Sequence, residues 1–385
     1  MEEYNLVAPC LFGVEGIAAD EFRRMGFEQV SAENGRVLLK GNADMLARAN
    51  ICSRFAERIL ISVGEFYAET FTELFDNVKK LPWEDFLRKD DAFPVNGWSI
   101  DSKLFSIPDC QSIIKKAVVE RLKVKYGCQW FEETGPEHKI RFSIHKDRVT
   151  VMIDTSGEGL HKRGYRRNSN DAPLKETLAA SICDLARIYP DTKLYDPMCG
   201  SGTILIESAL MATKTAPGLY RSFAAERYGF LDREAWSRER TRARDLIYRN
   251  VDFTAFGYDI DPKCIELTMA NAKKAGVDRY IKASVGNIKD FTVPEERCVT
   301  ITNPPYGERL LDVKAAEDIY RVMGERFEAG KGRKYYIISP HDEFEKFFAR
   351  TADKRRKLYN GMIKCGYYQF FKKREVSDHI NGKRN

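Results

Sequence analysis

The 385-residue sequence has no apolar run close to the roughly 20 residues that span a bilayer. Its N-terminus also lacks a basic segment followed by an apolar stretch, so we expect a cytoplasmic protein without membrane association. Nine cysteines are scattered singly, with no C-x-x-C pair and no histidine at ligand spacing. This pattern argues against a zinc site and a disulfide framework, and we expect no bound metal.

Charge is distributed unevenly along the chain. Residues 1–160 contain 21 Lys/Arg and 26 Asp/Glu, a net charge of −5, whereas residues 161–385 contain 42 and 31, a net charge of +11. A basic second half suits a polyanionic partner such as a nucleic acid. The alternative is an excess of positive charge on a solvated surface, and composition alone does not decide between the two.

The second half alternates short strand-like runs with longer amphipathic stretches. The strand-like runs are Lys193–Tyr195, Ala255–Tyr258, Ile281–Val285, Val299–Thr302 and Lys334–Ile338, and the helix-like stretches include Thr203–Ala212, Cys264–Ala275 and Ala315–Glu328. Such alternation predicts βαβ units and a doubly wound parallel sheet. Ligands of these α/β sheets bind at the carboxyl ends of the strands.

The first half has the pattern of smaller α+β modules. Leu6–Phe12 and Arg36–Lys40 are strand-like and lie on either side of a predicted helix at Val14–Met25. A longer helix is predicted after Ser106, which is a suitable N-cap residue. The junction between the halves is expected at Gly157–Asp171, which is rich in Gly, Arg, Asn and Ser.

The first chemical motif is Asp196-Pro-Met-Cys-Gly-Ser-Gly-Thr203, between a predicted strand and a predicted helix. Its glycines let the backbone approach a ligand, and the helix N-terminus offers free N–H groups. Neither a P-loop nor a complete dinucleotide fingerprint is present. Because S-adenosylmethionine (SAM) carries an ammonium group that Asp196 can hold, we predict a SAM site, with a purely structural turn as the alternative. The predicted cofactor residues here are Asp196, Pro197, Cys199, Gly200, Gly202 and Thr203.

The second motif is Gly257-Tyr-Asp-Ile-Asp-Pro262, at the end of the next strand. Asp261 as N-cap and Pro262 at the first helical position predict the start of a helix. We predict that the Asp259 carboxylate accepts hydrogen bonds from two ribose hydroxyls and that Ile260 packs on the adenine face. Taken alone, Asp259 also fits a turn residue.

A third, weaker signal is Asn287, which follows the strand Ile281–Val285. An amide at this position can form a hydrogen bond with an adenine edge. An ordinary loop residue is the equal alternative.

The fourth motif is Asn303-Pro304-Pro305-Tyr306, after the predicted strand Val299–Thr302. Two prolines cannot continue a central strand, so the loop is stiff and keeps unpaired carbonyls. The Asn303 side-chain oxygen and the Pro304 carbonyl can draw the protons of a substrate amino group out of its plane, which frees the nitrogen lone pair to attack a methyl group. Tyr306 offers a face on which a planar base can stack. We therefore predict methylation of an exocyclic amino group, with all four residues at the catalytic centre.

One spacing departs from a minimal class I SAM methyltransferase pattern. Asp196 and Asp259 are 63 residues apart, more than one helix and one strand require. The extra stretch, about Lys214–Asn250, includes the basic segment Arg233–Arg249. We expect it to cover the active site, to touch phosphates or to form a solvated amphipathic helix, and the sequence leaves these possibilities open.

With these motifs the sequence resembles the THUMP-containing RNA methyltransferases of the 23S rRNA guanine-N2 type. Their members are often labelled N6-adenine-specific DNA methylases because of the Asn-Pro-Pro-Tyr motif. The resemblance covers essentially the whole chain. Besides the motifs above, it includes Asp101–Pro108, Gly159–Arg166, Ala172–Ala179, Pro217–Phe223 and Tyr368–Arg374.

The resemblance implies a Rossmann-like methyltransferase domain preceded by α+β ferredoxin-like and THUMP domains. We assign residues 1–65 to the ferredoxin-like segment, 66–158 to the THUMP domain, 159–171 to a linker and 172–385 to the methyltransferase domain. The resemblance also implies that the segment Pro173–Thr177 lies beside the SAM pocket, which adds Lys175 and Thr177 to the cofactor residues.

Structured RNA is the partner that the resemblance implies, most specifically 23S rRNA or a ribosome assembly intermediate. The proposed RNA-binding half is net acidic, so a local basic cluster has to serve. Candidate RNA contacts are Lys115, Lys116, Lys162, Arg163 and Arg166. The predicted reaction is formation of N2-methylguanosine, with adenine N6 in RNA or DNA, a glutamine amide, or a non-catalytic RNA-binding assembly factor as alternatives.

Overall fold

The computed structural model describes residues 3–166, 174–293, 297–306, 310–328, 330 and 332–371. Its contacts divide the chain into two compact units. Unit 1 contains Met1–Gly164 and Thr215–Ile247, and unit 2 contains Tyr165–Lys214 and Tyr248–Asn385. The boundary after Gly164 lies inside the predicted linker 159–171. No helix among the described residues is both long and apolar enough to cross a membrane.

Strands and helices are numbered here along the whole chain. The strands are β1 (Tyr4–Pro9), β2 (Val30–Glu33), β3 (Arg36–Gly41), β4 (Leu60–Tyr67), β5 (Val95–Ile100), β6 (Ile140–His145), β7 (Arg148–Asp154), β8 (Lys193–Asp196), β9 (Thr254–Asp259), β10 (Ile281–Val285), β11 (Cys298–Thr302), β12 (Arg333–Ser339), β13 (Lys354–Asn360) and β14 (Ile363–Phe370). The α-helices are α1 (Glu15–Arg24), α2 (Ala43–Cys52), α3 (Phe71–Lys80), α4 (Ile107–Tyr126), α5 (Glu176–Leu185), α6 (Thr203–Ala212), α7 (Glu234–Asp245), α8 (Pro262–Ala275), α9 (Leu310–Arg326) and α10 (Phe344–Phe347).

In unit 1 the strands form one sheet in the order β2-β3-β1-β4-β7-β6-β5. Strand β4 joins its two parts, because it pairs with β1 through Leu60 and Ile61 and with β7 along its whole length. The predicted limit between residues 65 and 66 therefore falls within this shared strand. Ser106 is the N-cap of α4 as predicted, although its hydroxyl donates to the Asp109 carboxylate and makes no cap hydrogen bond.

The stretch between α6 and β9 packs within unit 1. Helix α7 lies against α2, where the Arg48 guanidinium donates to both oxygens of the buried Glu239 carboxylate at 2.7 and 2.9 Å. The Gly218 N–H donates to the Ile51 carbonyl at 2.8 Å. These contacts use the polar side of α7 to hold the stretch on the N-terminal fold.

In unit 2 the sheet order is β10-β9-β8-β11-β12-β14-β13. Strands β10, β9, β8, β11 and β12 are parallel, whereas β14 runs antiparallel between β12 and β13. The chain reverses direction across the sheet between β8 and β11, which is where doubly wound folds bind their ligands. The five predicted strands of this half all form, but the antiparallel hairpin β13–β14 was not predicted.

A buried carboxylate organises the end of β7. Asp154 accepts hydrogen bonds from Arg58 at 2.6 Å and Arg141 at 2.8 Å, and from the N–H groups of Ser156 and Gly157 at 3.0 and 3.1 Å. The Asp154 side chain is fully buried, and it joins both guanidinium groups to the turn after β7, where Arg58 also donates to the Gly157 carbonyl.

We predict that Asp154→Ala lowers the free energy of unfolding of unit 1 by roughly 3 kcal/mol, since it leaves two partly buried guanidinium groups without their acceptor. Thermal denaturation followed by circular dichroism is the measurement. The matched control is Asp20→Ala, which removes an exposed pair with Arg23 and is expected to cost less than about 0.5 kcal/mol. Equal melting temperatures for the two variants would contradict the prediction.

Candidate active site

A cavity of about 790 Å³ lies at the carboxyl ends of the parallel strands of unit 2. The loops after β8, β9, β10 and β11 all contribute to its wall. Its described lining residues are Pro197, Met198, Gly200, Asp259, Ile260, Cys264, Gly286, Asn287, Ile288, Lys289, Asn303, Pro304, Pro305, Tyr306, Ala315, Asp318, Ile319, Val322, Asn360 and Ile363. All four predicted motifs therefore meet in one place.

The glycine turn after β8 is shaped by close packing against α8. Gly202 has a φ of 78°, and a Cβ there would lie 2.7 Å from the Thr268 side chain. The Thr268 hydroxyl donates to the Gly200 carbonyl at 2.9 Å, and the Asn271 amide donates to the Ser201 carbonyl at 3.1 Å. Only a residue without a side chain fits at Gly202.

Asp259 connects the first motif to the second. One carboxylate oxygen accepts the Gly200 N–H at 2.9 Å, and the other accepts the Asp261 N–H at 3.0 Å. Each oxygen keeps lone-pair capacity for a further donor, as a ribose diol would require. The neighbouring Ile260 side chain is 69% exposed at the cavity wall, where a flat apolar group can cover it.

Asp196 is buried at the end of β8, one residue from the cavity wall. Burial raises the pKa of its carboxyl to about 7, against the opposing effect of the Thr302 hydroxyl and the Met198 N–H, and the nearby Asp259 raises it further. A cation bound beside this group would favour the ionised carboxylate. The position and the pKa both fit the predicted partner of the SAM ammonium group.

Asn287 lines the cavity, but its side-chain oxygen accepts the Lys289 N–H at 3.0 Å and begins a short helical turn, Ile288–Asp290. The turn role that the sequence left open is thus the contact observed. Contact of Asn287 with adenine stays a prediction.

The Asn-Pro-Pro-Tyr loop presents an unused acceptor. The Asn303 side-chain oxygen is buried and has no hydrogen-bond partner among the described residues. The loop is braced from behind, because the Tyr320 hydroxyl donates to the Pro305 carbonyl at 3.4 Å and accepts from the Ser339 hydroxyl at 3.1 Å. An acceptor held in place without a donor fits a substrate N–H group.

Tyr306 is held by the hairpin β13–β14. The Asn360 amide donates to the Tyr306 hydroxyl at 3.4 Å, and the Cys365 thiol lies 3.8 Å from the same oxygen. Burial raises the pKa of the Tyr306 phenol far above its ordinary value, so this hydroxyl stays protonated at neutral pH. The ring is thus positioned as a neutral surface in the cavity wall.

Several predicted cofactor residues lie outside the cavity lining. They are Asp196, Cys199, Gly202, Thr203, Lys175 and Thr177. Thr177 is fully buried in α5, and the Thr203 hydroxyl accepts a hydrogen bond from Arg166 at 2.6 Å. These residues support the turn or the adjoining helix, and direct contact with SAM stays a prediction for each. Pro173 lies outside the described residues.

Sequence reasoning missed the cavity walls that come from α9 and from the hairpin. Ala315 and Ile319 belong to α9, which has no chemical motif. Asn360 and Ile363 flank the two-residue turn Gly361-Met362; a glycine at the first turn position is a hairpin signal, but it does not show that the hairpin lines a cavity. None of the residues 214–250, all of which are described, lines the cavity. A cover over the active site and a contact with phosphates both stay predictions for this stretch.

Two of the five predicted RNA contacts are used inside the protein. The buried Arg163 guanidinium donates to the Leu160 and Arg54 carbonyls at 2.7 and 2.6 Å. Arg166 donates to the Leu174 carbonyl at 2.9 Å and lies 3.7 Å from the Glu176 carboxylate. These positions conflict with RNA contacts at Arg163 and Arg166, because the guanidinium groups of both residues donate to acceptors inside the protein.

The three predicted lysines differ in accessibility. Lys115 donates to the Phe93 carbonyl at 3.1 Å and pairs with Glu133, so it is partly engaged. Lys116 is exposed on α4, and Lys162 is exposed beside Glu158 at 3.3 Å. These positions leave Lys116 and Lys162 accessible to a polyanion. Among the described residues no three His, Cys, Asp or Glu side chains come together as metal ligands would.

Comparison with known proteins agrees with this architecture. Residues 163–369 match a family model described as "RMKL-like, methyltransferase domain", residues 5–60 match an RlmL ferredoxin-like domain, and residues 68–154 match a THUMP domain. The chain belongs to the RMKL-like methyltransferase family. The predicted fold class, a Rossmann-like methyltransferase preceded by ferredoxin-like and THUMP domains, is confirmed.

Two curated relatives and one solved structure show how far the similarity extends. The chain is 42% identical to "Putative RNA methyltransferase YpsC" of Bacillus subtilis (strain 168), over 97% of each chain. It is 33% identical to "Ribosomal RNA large subunit methyltransferase K/L" of Syntrophotalea carbinolica, over 93% of this chain and 52% of that one. The chain thus spans about half the length of the K/L relative. The crystal structure of SMU.472, described as a putative methyltransferase complexed with SAH, matches with a TM-score of 0.90 and 41% identity over 97% of this chain and 100% of that one.

This methyltransferase uses SAM as its methyl donor. Its own residues fit that cofactor: the turn at Gly200 has open space where a side chain would stand, and Ile260 offers an apolar surface. When bound, SAM supplies an electrophilic methyl group. We propose that Asp196, Asp259 and Ile260 hold its ammonium, ribose and adenine parts, respectively.

If Asp196 faces the SAM ammonium, affinity for SAM should rise with pH as this carboxyl ionises and level off above its pKa of about 7. The change can reach about tenfold per pH unit below 7, while the SAM α-amino group, with an ordinary pKa near 7.7–8.0, stays protonated. Calorimetric titration between pH 5.5 and 7 is the measurement. Asp196→Asn should bind weakly with little pH dependence, and an unchanged slope in this variant would refute the assignment.

Proposed function

We propose that this SAM-dependent methyltransferase acts on RNA in the cytoplasm and methylates the exocyclic N2 amino group of a guanine in 23S rRNA. The observation that carries the reaction type is Asn303, a residue of the cavity wall whose buried side-chain oxygen has no donor among the described residues. A planar amino group supplies the N–H donors that this acceptor lacks.

Geometry around Asn303 supports an amino-group substrate rather than a hydroxyl or a ring carbon. The neighbouring Pro304 cannot donate a backbone N–H, so the loop offers acceptors at this point. Two acceptors can draw the amino protons out of the base plane and leave the nitrogen lone pair directed at the methyl group. The neutral Tyr306 ring, positioned by Asn360, supports stacking of the base that carries the amino group.

RNA as the substrate is supported by the THUMP domain match and by the names of the two relatives, which both describe RNA methyltransferases. The large-subunit RNA is supported by the K/L relative, which this chain covers over about half of that relative's length. Guanine as the modified base is expected from the resemblance to the THUMP-containing RNA methyltransferases of the 23S rRNA guanine-N2 type. The first test is therefore the identity of the modified nucleoside.

Deletion of the gene should remove one N2-methylguanosine from 23S rRNA, and mass spectrometry of nucleosides from purified 23S rRNA is the measurement. Purified protein with labelled SAM should then restore the label on rRNA from the deletion strain and not on rRNA from the parent. Loss of N6-methyladenosine in place of N2-methylguanosine would reassign the base. Equal transfer to DNA or to a protein would overturn RNA as the substrate.

Asn303→Ala should lower turnover by about 100-fold or more, because it removes an acceptor used in the reacting geometry. Affinity for SAM should change by less than about threefold, since the variant leaves the cofactor loops intact. Single-turnover methylation and calorimetry separate the two effects. The matched control is Asn250→Ala, at an exposed residue outside the cavity lining. Near-normal turnover of Asn303→Ala would show that the acceptor role is wrong.

A further inference from the structure

The hairpin β13–β14 carries an exposed apolar residue beside the catalytic cavity. Asn360 and Ile363 pair across the hairpin and leave Gly361 and Met362 as its two-residue turn. Gly361 has a φ of 62°, which a tight turn requires at its first central position. Met362 is 97% exposed, so its side chain has no structural role in the fold.

The base of this turn is part of the cavity wall. Asn360 and Ile363 line the same cavity as Asn303, and Asn360 donates to the Tyr306 hydroxyl at 3.4 Å. Met362 lies between these two positions in the chain, so the turn that carries it is next to the cavity. A flexible thioether is among the side chains that insert between stacked bases.

The rest of the hairpin has the charge that a polyanion requires. Residues 354–370 contain five Lys/Arg and no Asp/Glu. Arg355 pairs with Glu345, whereas Lys354, Lys357 and Lys364 are exposed and form no ion pair with a described carboxylate. Side chains of paired and of alternate residues share one face of the hairpin, so Lys357 and Lys364 lie on one face and Lys354 lies on the other. A nucleic acid backbone that follows the face of Lys357 and Lys364 would bring its bases to the turn.

We propose that the hairpin is an RNA-positioning element in which Met362 inserts into the base stack at the place that the target base leaves, while Lys357 contacts the phosphate backbone. This proposal rests on the proposed RNA substrate. A base inside a stack or a helix has to be turned out before its amino group reaches Asn303, and that step costs free energy. An apolar side chain that fills the gap offsets part of this cost, so the turned-out state is more populated. The lysine contributes affinity that depends on salt.

The test compares Met362→Ala, Met362→Leu and Lys357→Ala on unmodified 23S rRNA transcribed in vitro and folded with Mg²⁺. Single-turnover methyl transfer at saturating RNA gives the rate constant, filter binding gives the RNA affinity, and calorimetry gives the SAM affinity. Met362→Ala should lower the rate constant about tenfold with RNA affinity within about threefold, and Met362→Leu should restore the rate to within about twofold. Lys357→Ala should do the reverse, weakening RNA binding and reducing its salt dependence by about one phosphate contact.

Because Met362 is exposed, its replacement leaves the fold intact, and unchanged SAM affinity verifies this directly. A normal rate constant for Met362→Ala, an equal loss in Met362→Leu, or a loss confined to RNA affinity would overturn the insertion. An absence of methyl transfer from wild-type protein to the transcript, with SAM still bound, would instead overturn the proposed function on which the insertion rests.

Discussion

The hydrogen bond from the Gly200 N–H to the Asp259 carboxylate is the contact on which the site depends. It joins the loops after two adjacent parallel strands, and the Cys199 N–H strengthens the junction by donating to the Tyr258 carbonyl at 2.8 Å. Parallel pairing of β8 with β9 brings both loops to the same edge of the sheet. These two hydrogen bonds therefore hold the loops together at the edge where doubly wound sheets bind their ligands.

The four loops of the site could be predicted from the sequence because each is signalled locally. A strand-like run is followed within a few residues by Gly, Pro, Asp or Asn, as at Asp261, whose carboxylate caps α8 as predicted. The cavity walls from α9 and the hairpin could not be found in this way. Ile319 and Ile363 reach the cavity through packing between segments distant in sequence, and no local pattern distinguishes them from other apolar residues.

A basic sequence pattern does not show where its arginine side chains lie, for a physical reason. The sequence of a basic segment is the same whether an arginine has its guanidinium in solvent or bonded to buried carbonyls. Arg163 satisfies main-chain acceptors, and Arg48 and Arg238 hold the stretch 215–247 on α2 through Glu239 and Asp44. Arginine is suited to such positions because its planar fork donates to several acceptors at once. The exposure of each cationic side chain therefore has to be known before a basic composition indicates a surface that binds nucleic acid.

The unpaired acceptor at Asn303 concerns the type of reaction, whereas other parts of the cavity wall concern the choice of base. Leaving a buried carbonyl without a donor costs the folded protein about 1–3 kcal/mol, which is tolerated where a substrate later supplies the donor. The acceptor pair that we propose fits any planar amino group, so it would define the reaction without distinguishing guanine from adenine. Discrimination has to come from the parts of the wall that carry no methyltransferase motif, namely α9 and the hairpin. Asn360 contacts the Tyr306 hydroxyl and Ile363 borders the same space, so the element that positions the proposed stacking surface would also limit which base can occupy it.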